Sequence, residues 1–352
     1  MAYAEERDVV VVVELLLFDE LQEQSMMRHL FWVPLCALLL ALGVPVDAQQ
    51  PKKIARVGYL AAISAAADAP RLEAFRHGLR ELGYLEGQNL HIEYRHEGGG
   101  FERLPALVAE LLGHKPDVLV VVTTNAAQAA KHGTTTIPIV FMGVTDPVTA
   151  GLVDSLAQPG GNITGITNMA AILTSKRLEL FKEMLPTVSR VAVLWDPRAP
   201  GSVPQWQASQ LPAQELGLHL YSMEVSSVEK YEAAFTDAVE AGTTALWVTL
   251  NPLANSNQQK VVDLALTHGL PSLCARVDFA ENGCLMAYGP SYGIEGKNGA
   301  RYVDKILKGA KPVNIPVEQP MKFELVINLQ TAQKLGLTIP QSVLFQADKI
   351  IR

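Results

Sequence analysis

The chain has 352 residues, 49% of them hydrophobic and 18% charged, with a net charge of -7 and 7% aromatic residues. That length leaves room for two domains of about 150 residues, each large enough for its own core. The acidic balance, with no Lys/Arg cluster, excludes nucleic acid as a partner, because phosphates demand a basic face.

Residues 26–48 begin with the basic stretch Met26-Met27-Arg28-His29. An apolar run from Leu30 to Leu42 follows, then small residues at Val46 and Ala48. This is the pattern of a secretory signal peptide, with cleavage expected after Ala48 and a periplasmic location for the remainder. The apolar run is shorter than the roughly 20 residues that span a bilayer; an uncleaved anchor is the alternative. Pro34 and Leu35 precede Cys36, which does not fit a lipoprotein signal. Residues 1–25 carry Asp8, Glu14, Asp19, Glu20 and Glu23 upstream of a complete signal. They read as a spurious extension, with translation expected to start at Met26 or Met27. Of the three cysteines, Cys274 and Cys284 remain after export. They lie near successive predicted strands, and both a bridge and two separate buried thiols fit the spacing.

From residue 54 on, strand and helix signals alternate. Ile54 to Leu60 is a short apolar strand. A helix is expected from about Pro70, with Leu72, Phe75, Leu79 and Leu82 on one face and Gly83 as its stop. Asn89 to Arg95 alternates as a strand, and Leu104 to Leu112 is helical. Asp117 to Thr123 is a β-branched run of the kind buried on both faces of a parallel sheet. Thr124-Asn125 opens a helix, and Ile137 to Gly143 is the next strand. The second half repeats the pattern. Strands are expected at Arg190–Trp195, Leu218–Val225, Ala245–Leu250 and Pro271–Ala275. Helices are expected near 174–185, 204–216, 228–241 and 256–268. Pro212 should kink or split the second of these. A helix from about Ile294 to Leu307 and a strand Phe323–Asn328 close the chain. The fold class is therefore α/β, with two doubly wound parallel-sheet lobes.

Several motifs fail on inspection. Gly289-Pro290-Ser291-Tyr292-Gly293 matches a nucleophile elbow, but the last histidine, His268, lies upstream of Ser291, and that fold places its acid and histidine downstream. Gly296-Lys297 lacks the first glycine and the Ser/Thr of a phosphate loop. Gly98-Gly99-Gly100 lacks dinucleotide spacing, and the scattered histidines form no metal-binding pair, so no cofactor and no metal are expected.

What survives lies at the carboxyl ends of strands, where open parallel sheets bind ligands and helix N-termini point at anions. Candidates there are Ser64; Thr123, Thr124 and Asn125; Gly143, Thr145 and Asp146; Trp195 and Asp196; Asn251; Arg276 and Asp278; and Tyr288. Hydroxyls, amides and one Arg suit a carboxylate or ammonium group better than covalent chemistry. Taken singly, each Thr or Asn also reads as a helix cap and each Asp-Pro as a turn opener. The aromatic candidates also read as core.

The stretches Arg56–Leu60, Thr145–Val148 with Gly151–Val153, and Pro159–Gly165 resemble the substrate-binding family of ABC transporters that includes tryptophan- and tyrosine-binding members. So do Tyr302–Pro312, Pro316–Pro320 and Phe323–Leu329. The similarity covers nearly all of the chain from about 54 to 352, and the tail is its most specific part. The chain departs from the family in the alanine-rich loop Ala61–Ala67 and the glycine-rich Ser291–Asn298. The resemblance implies a type I periplasmic-binding fold with three crossings, near 159–167, 285–290 and 316–322. Lobe 1 would comprise 54–165 plus 288–316, and lobe 2 would comprise 166–287 plus 317–352.

The resemblance further implies a non-enzymatic, monomeric receptor that delivers a small amino-acid-like ligand, aromatic in known members, to an ABC permease and its ATPase. In that reading Ser64, Thr124 and Asn125 hold a carboxylate. Asp196, Asn251 and Asp278 close over it, one acidic residue meeting an ammonium group. A periplasmic sensor or co-receptor for a signalling partner is the alternative, followed by an exported hydrolase.

Overall fold

The computed structural model of the protein describes residues 54–352. The expected extension 1–25 and signal peptide 26–48 lie outside the described residues. The first half runs β1 (Ala55–Ala61), α1 (Ala65–Glu81), β2 (Leu90–His96), α2 (Leu104–Gly113), β3 (Val118–Val122), α3 (Thr124–Gly133), β4 (Ile139–Val144), β5 (Ile163–Thr167). Then come α4 (Thr174–Met184), β6 (Arg190–Trp195), α5 (Val203–Glu215), β7 (His219–Glu224), α6 (Tyr231–Glu240) and β8 (Ala245–Val248). The chain continues with α7 (Pro252–Ser256), α8 (Gln258–Thr267), β9 (Ser272–Cys274), β10 (Met286–Pro290) and α9 (Tyr292–Leu307). It ends with β11 (Phe323–Asn328), α10 (Leu329–Lys334), α11 (Gln341–Gln346) and β12 (Lys349–Ile351).

Two sheets organise these elements. The first has five strands in the order β2-β1-β3-β4-β5, all parallel. The second has seven, in the order β12-β11-β10-β9-β8-β6-β7. Read from β7, its first five strands repeat the order of the first sheet. In that order the chain reverses direction between β1 and β3, and again between β6 and β8, so each lobe opens a crevice at its strands' carboxyl ends. One pair departs from the parallel rule: β11 runs antiparallel to β10. It enters from the other lobe, so no βα crossover sets its direction.

Both faces of each sheet are covered. Every residue of β3 is buried, as its unbroken Val/Leu run requires. Val57, Tyr59, Val120 and Val122 pack with Phe75 on one face, while Leu119, Val121 and Phe141 pack with Leu107 and Leu111 on the other.

Sheet membership places the three passages between lobes. β5 stays in the first sheet through Thr167, β10 stays in the second through Pro290, and Glu318 pairs beside Ile166 before β11 begins. Membership of the two sheets therefore changes within 168–173, at Ser291 and within 319–322. Pro159-Gly160-Gly161 forms the loop that feeds β5. Gly160 has φ +84°, which glycine adopts without strain.

Arg177 of α4 braces this region. It is fully buried and donates to the carbonyls of Ala170 (2.7 Å), Tyr288 (2.8 Å) and Ala275 (3.3 Å). Burial lowers its pKa to about 10.

Some local expectations change. α1 starts at Ala65 rather than Pro70, because Ser64 Oγ accepts from Ala67 N and caps it. α5 is not split at Pro212, which stands in its last turn and so removes only one intrahelical bond. Cys274 and Cys284 form a disulfide with Cα atoms 6.6 Å apart. No helix among the described residues is long and apolar enough to cross a membrane.

Candidate functional site at the cleft between lobes

The carboxyl ends of β1, β3 and β4 face those of β8 and β9 across a cleft. Its walls include Ile63, Thr123, Thr124, Asn125, Gly143, Thr145 and Asn168 from the first lobe's strand ends, with Arg71 from α1. Gly201, Leu250, Asn251, Pro252, Asn255 and Arg276 come from the second, and Tyr292 from the start of α9. A larger cavity of about 400 Å³ near Arg56, Gln88 and His91 sits at the amino ends of β1 and β2. That is the wrong end of a parallel sheet for a ligand.

Backbone strain gathers at the first lobe's strand ends. Thr123, Asp146 and Met169 have φ of 85°, 42° and 55°. A positive φ is unusual for any residue with a Cβ and more so for a β-branched one. At Thr123 it turns the chain abruptly into α3. The Thr123 side chain makes no capping bond, so the first-turn N–H groups of Thr124 and Asn125 are not met by a cap.

The lobes touch across the cleft. Ser64 N donates to Ser256 Oγ at 2.9 Å, and Arg276 Nη2 donates to the carbonyl of Ala67. Arg198 Nη1 reaches Glu102 at 3.5 Å, and its guanidinium lies 5.2 Å from the centre of the Phe101 ring.

Charge is concentrated behind the walls. Arg71 donates to Asp68 (2.8 Å) and to Glu295 (2.9 Å), all three buried. Tyr59 OH and His96 also bond Asp68, at 2.8 and 3.3 Å. Burial pushes the Asp68 carboxyl up, but His96, Arg71 and Tyr59 outweigh it and hold the pKa below its ordinary value. Burial likewise opposes the charge on Arg71, and Glu295 and Asp68 more than restore it, so its pKa is raised. Arg276 is bound by Asp278 through Nε and Nη2, each at 2.6 Å. Both guanidiniums lie 4.4 Å from the centre of the Tyr292 ring. Burial raises that tyrosine's pKa to about 12 against the pull of the two cations.

Three wall residues carry a buried polar atom with no hydrogen-bond partner: Thr123 Oγ1, Asn255 Oδ1 and Arg276 Nη1. Each such atom costs about 1–3 kcal/mol if left unmet. A cationic donor, an amide acceptor and a hydroxyl thus stand unpaired on residues that line one cleft. None of the wall residues is a His, Cys, Asp or Glu that could activate a nucleophile. Among the described residues no His/Cys/Asp/Glu group could hold a metal ion.

The residues expected from sequence divide in two. Thr123, Thr124, Asn125, Gly143, Thr145, Asn251 and Arg276 are brought together in the walls. Six others are not among the wall residues. Ser64 is spent as the cap of α1. Asp146 accepts from Thr149 N in a turn. Trp195 stacks on Trp206, with ring centres 5.6 Å apart. The Asp196 carboxylate accepts from Arg198 and that of Asp278 from Arg276, and neither residue lines the cleft. Tyr288 packs beside Phe323 in the second sheet.

Sequence reading passed over Arg71, Asn168, Gly201, Asn255 and Tyr292. Two carried a signal. Asn255 stands four residues after Asn251, and Arg71 three after Asp68, spacings that share a helix face.

The model of one family, described as ABC transporter substrate binding protein, matches residues 56–351. The chain belongs to that family. Among relatives of this substrate-binding protein, the "Tyrosine-binding protein" of Clostridioides difficile is 26% identical over 279 residues, covering 78% of this chain and 80% of the relative. A conserved domain protein from Vibrio cholerae O1 is 31% identical with a TM-score of 0.81, covering 85% of this chain and all of that one. The ABC domain of Streptococcus pneumonia, solved in complex with L-Trp, is 28% identical with a TM-score of 0.79, covering 84% of this chain and 99% of that one. Fold and family are therefore those the sequence resemblance implied.

Proposed function

We propose that the protein is an extracytoplasmic receptor of an ABC importer, capturing an amino-acid-like ligand between its lobes and handing it to a permease and its ATPase. The observation that carries this reading is the trio of unmet buried atoms in one cleft. In it, a ligand carboxylate meets Arg276 Nη1 and the first-turn N–H groups at Thr124 and Asn125, where the helix end favours an anion. The ammonium group meets Asn255 Oδ1, and Thr123 Oγ1 serves either end. Asp278 then acts through Arg276, fixing its guanidinium, while Asn251 caps α7 with Oδ1 at 2.8 Å from Ala254 N.

Relatives named for tyrosine or solved with L-Trp support the amino-acid class. The signal-like residues 26–48 support export to the periplasm, where the protein would act as a monomer. Closure is a population shift, because only a guest that touches both lobes favours the closed state. Calorimetry of the chain with the common amino acids tests this. Binding of at least one at 1:1 stoichiometry, weakened about a hundredfold by Arg276→Gln, is expected. A silent panel, or an Arg276→Gln variant that binds like the wild type, contradicts it.

A further inference from the structure

Arg71 lines the cleft from the first lobe as Arg276 does from the second. The two cations are built alike. Arg71 donates from Nε to Glu295 at 2.9 Å and from Nη1 to Asp68 at 2.8 Å, while its Nη2 makes no hydrogen bond among the described residues. Arg276 donates from Nε and Nη2 to Asp278 at 2.6 Å each, and its Nη1 is unpaired. Their side chains are only 4% and 2% exposed. Each guanidinium is thus fixed by carboxylates and keeps one nitrogen unspent.

Both guanidiniums lie 4.4 Å from the centre of one ring, that of Tyr292, the residue directly after the passage between sheets at Ser291. No side chain stands between Arg71 Nη2 and the β4 backbone at Gly143, another wall residue. Gly143 has φ +65°, and a Cβ on it would sit 3.4 Å from that nitrogen. Like charges repel most where water is excluded. Burial and Arg71 both oppose the charge on Arg276, and Asp278 with Tyr292 outweighs them. Closing the lobes brings two cations onto one ring, and an anion shared between them offsets that cost where a neutral or cationic group does not.

Building on the receptor reading above, we infer that the ligand's carboxylate is the group that closes the cleft, one oxygen accepting from Arg71 Nη2 of the first lobe and the other from Arg276 Nη1 of the second. A carboxylate has two acceptor oxygens and the charge that both guanidiniums lack a partner for on this side. Its remaining lone pairs stay open to the first-turn N–H groups of α3. Asp68, Glu295 and Asp278 are positioning residues that aim the two forks. A guest ties the lobes together only through a group that touches both, and here that group is the anion. The receptor therefore closes on carboxylates with or without an ammonium group, and not on the matching amides.

The test is calorimetry and small-angle scattering on the full chain, freed of co-purified ligand by dialysis under mild denaturant and renatured with its disulfide intact. The tightest of the common amino acids is compared with its carboxamide and with its deamino acid. The carboxamide is expected to bind at least about thirtyfold more weakly than the amino acid and to leave the radius of gyration unchanged. The deamino acid should lose less than the carboxamide and still reduce that radius. A carboxamide that binds as tightly as the amino acid, or that closes the lobes where the deamino acid does not, overturns the inference and leaves the receptor reading standing. The part played by Arg71 is read with Arg71→Lys, which keeps a cation between Asp68 and Glu295 and so the fold, but removes the free nitrogen of the fork. It should weaken the amino acid at least about tenfold, and the loss in the double variant with Arg276→Gln should fall short of the product of the single losses, because both arginines hold one carboxylate. Unchanged affinity in Arg71→Lys, or single losses that simply multiply, overturns the inference alone. Silence from every amino acid overturns the receptor reading and the inference with it.

Discussion

Gly201 of the second lobe lies so close to Thr124 of the first that a methyl group on it would sit 3.0 Å from Thr124 Oγ1 and 3.2 Å from Thr145 Oγ1. Its backbone does not need glycine, since its φ is not positive. The missing side chain serves the approach of the lobes. Gly201→Ala is expected to hold the lobes apart by a few tenths of an ångström. Ligand affinity should fall about fivefold to tenfold, roughly 1 kcal/mol. The ligand-free Tm should stay unchanged, because neither lobe's core is touched. Calorimetry paired with thermal denaturation separates the two effects.

Arg198 also bridges the lobes, at the rim. Its side chain and that of Glu102 are 41% and 73% exposed, so the pair is weak and screened by salt. The Phe101 ring adds a cation–π interaction of about 0.5–1 kcal/mol. Arg198 also holds Asp196 within its own lobe, so the cleaner variant is Phe101→Ala. Its expected effect is a two- to fivefold faster ligand dissociation with little change in association, read by stopped-flow fluorescence.

The Cys274–Cys284 bridge closes a loop that contains Arg276 and Asp278. By loop-closure entropy it contributes about 3 kcal/mol. Replacing both cysteines by serine should lower Tm by about 5–10 °C. Ligand affinity should fall as well, because the loop that aims Arg276 is freed. A lowered Tm with unchanged affinity would mean that the bridge serves stability alone.

The alternation of strand and helix was legible because β3 and β6 are apolar runs that only a doubly covered parallel sheet can use. Strand carboxyl ends then pointed to Thr123, Thr124, Asn125 and Arg276. Sequence could not say which polar groups were already spoken for. Asp196 and Asp278 looked free to meet an ammonium group, yet each is held by an arginine two residues away. Arg71 and Asn255 went unread because a helix hides which face it turns to a cleft until its packing partner is known. The strand β12 and the helices α10 and α11 were missed because each has only three to six residues, too few for periodicity to register.

Acid should loosen the first lobe through Asp68. Its folded pKa is depressed, so its contribution is present above the unfolded value of about 3.9 and is lost as pH falls through the folded value. Tm should therefore drop steeply below about pH 4. Asp68→Asn should start from a lower Tm at pH 7, since Arg71 and His96 lose a partner, and show a flatter acid limb. Calorimetric scans between about pH 2 and 7 read both.

The clamp itself is tested most directly by small-angle scattering of the chain with and without its best-binding amino acid. Ligand addition is expected to reduce the radius of gyration in wild-type protein and to leave the Arg276→Gln variant unchanged. An identical wild-type profile with and without saturating ligand would contradict closure of the two lobes on a guest.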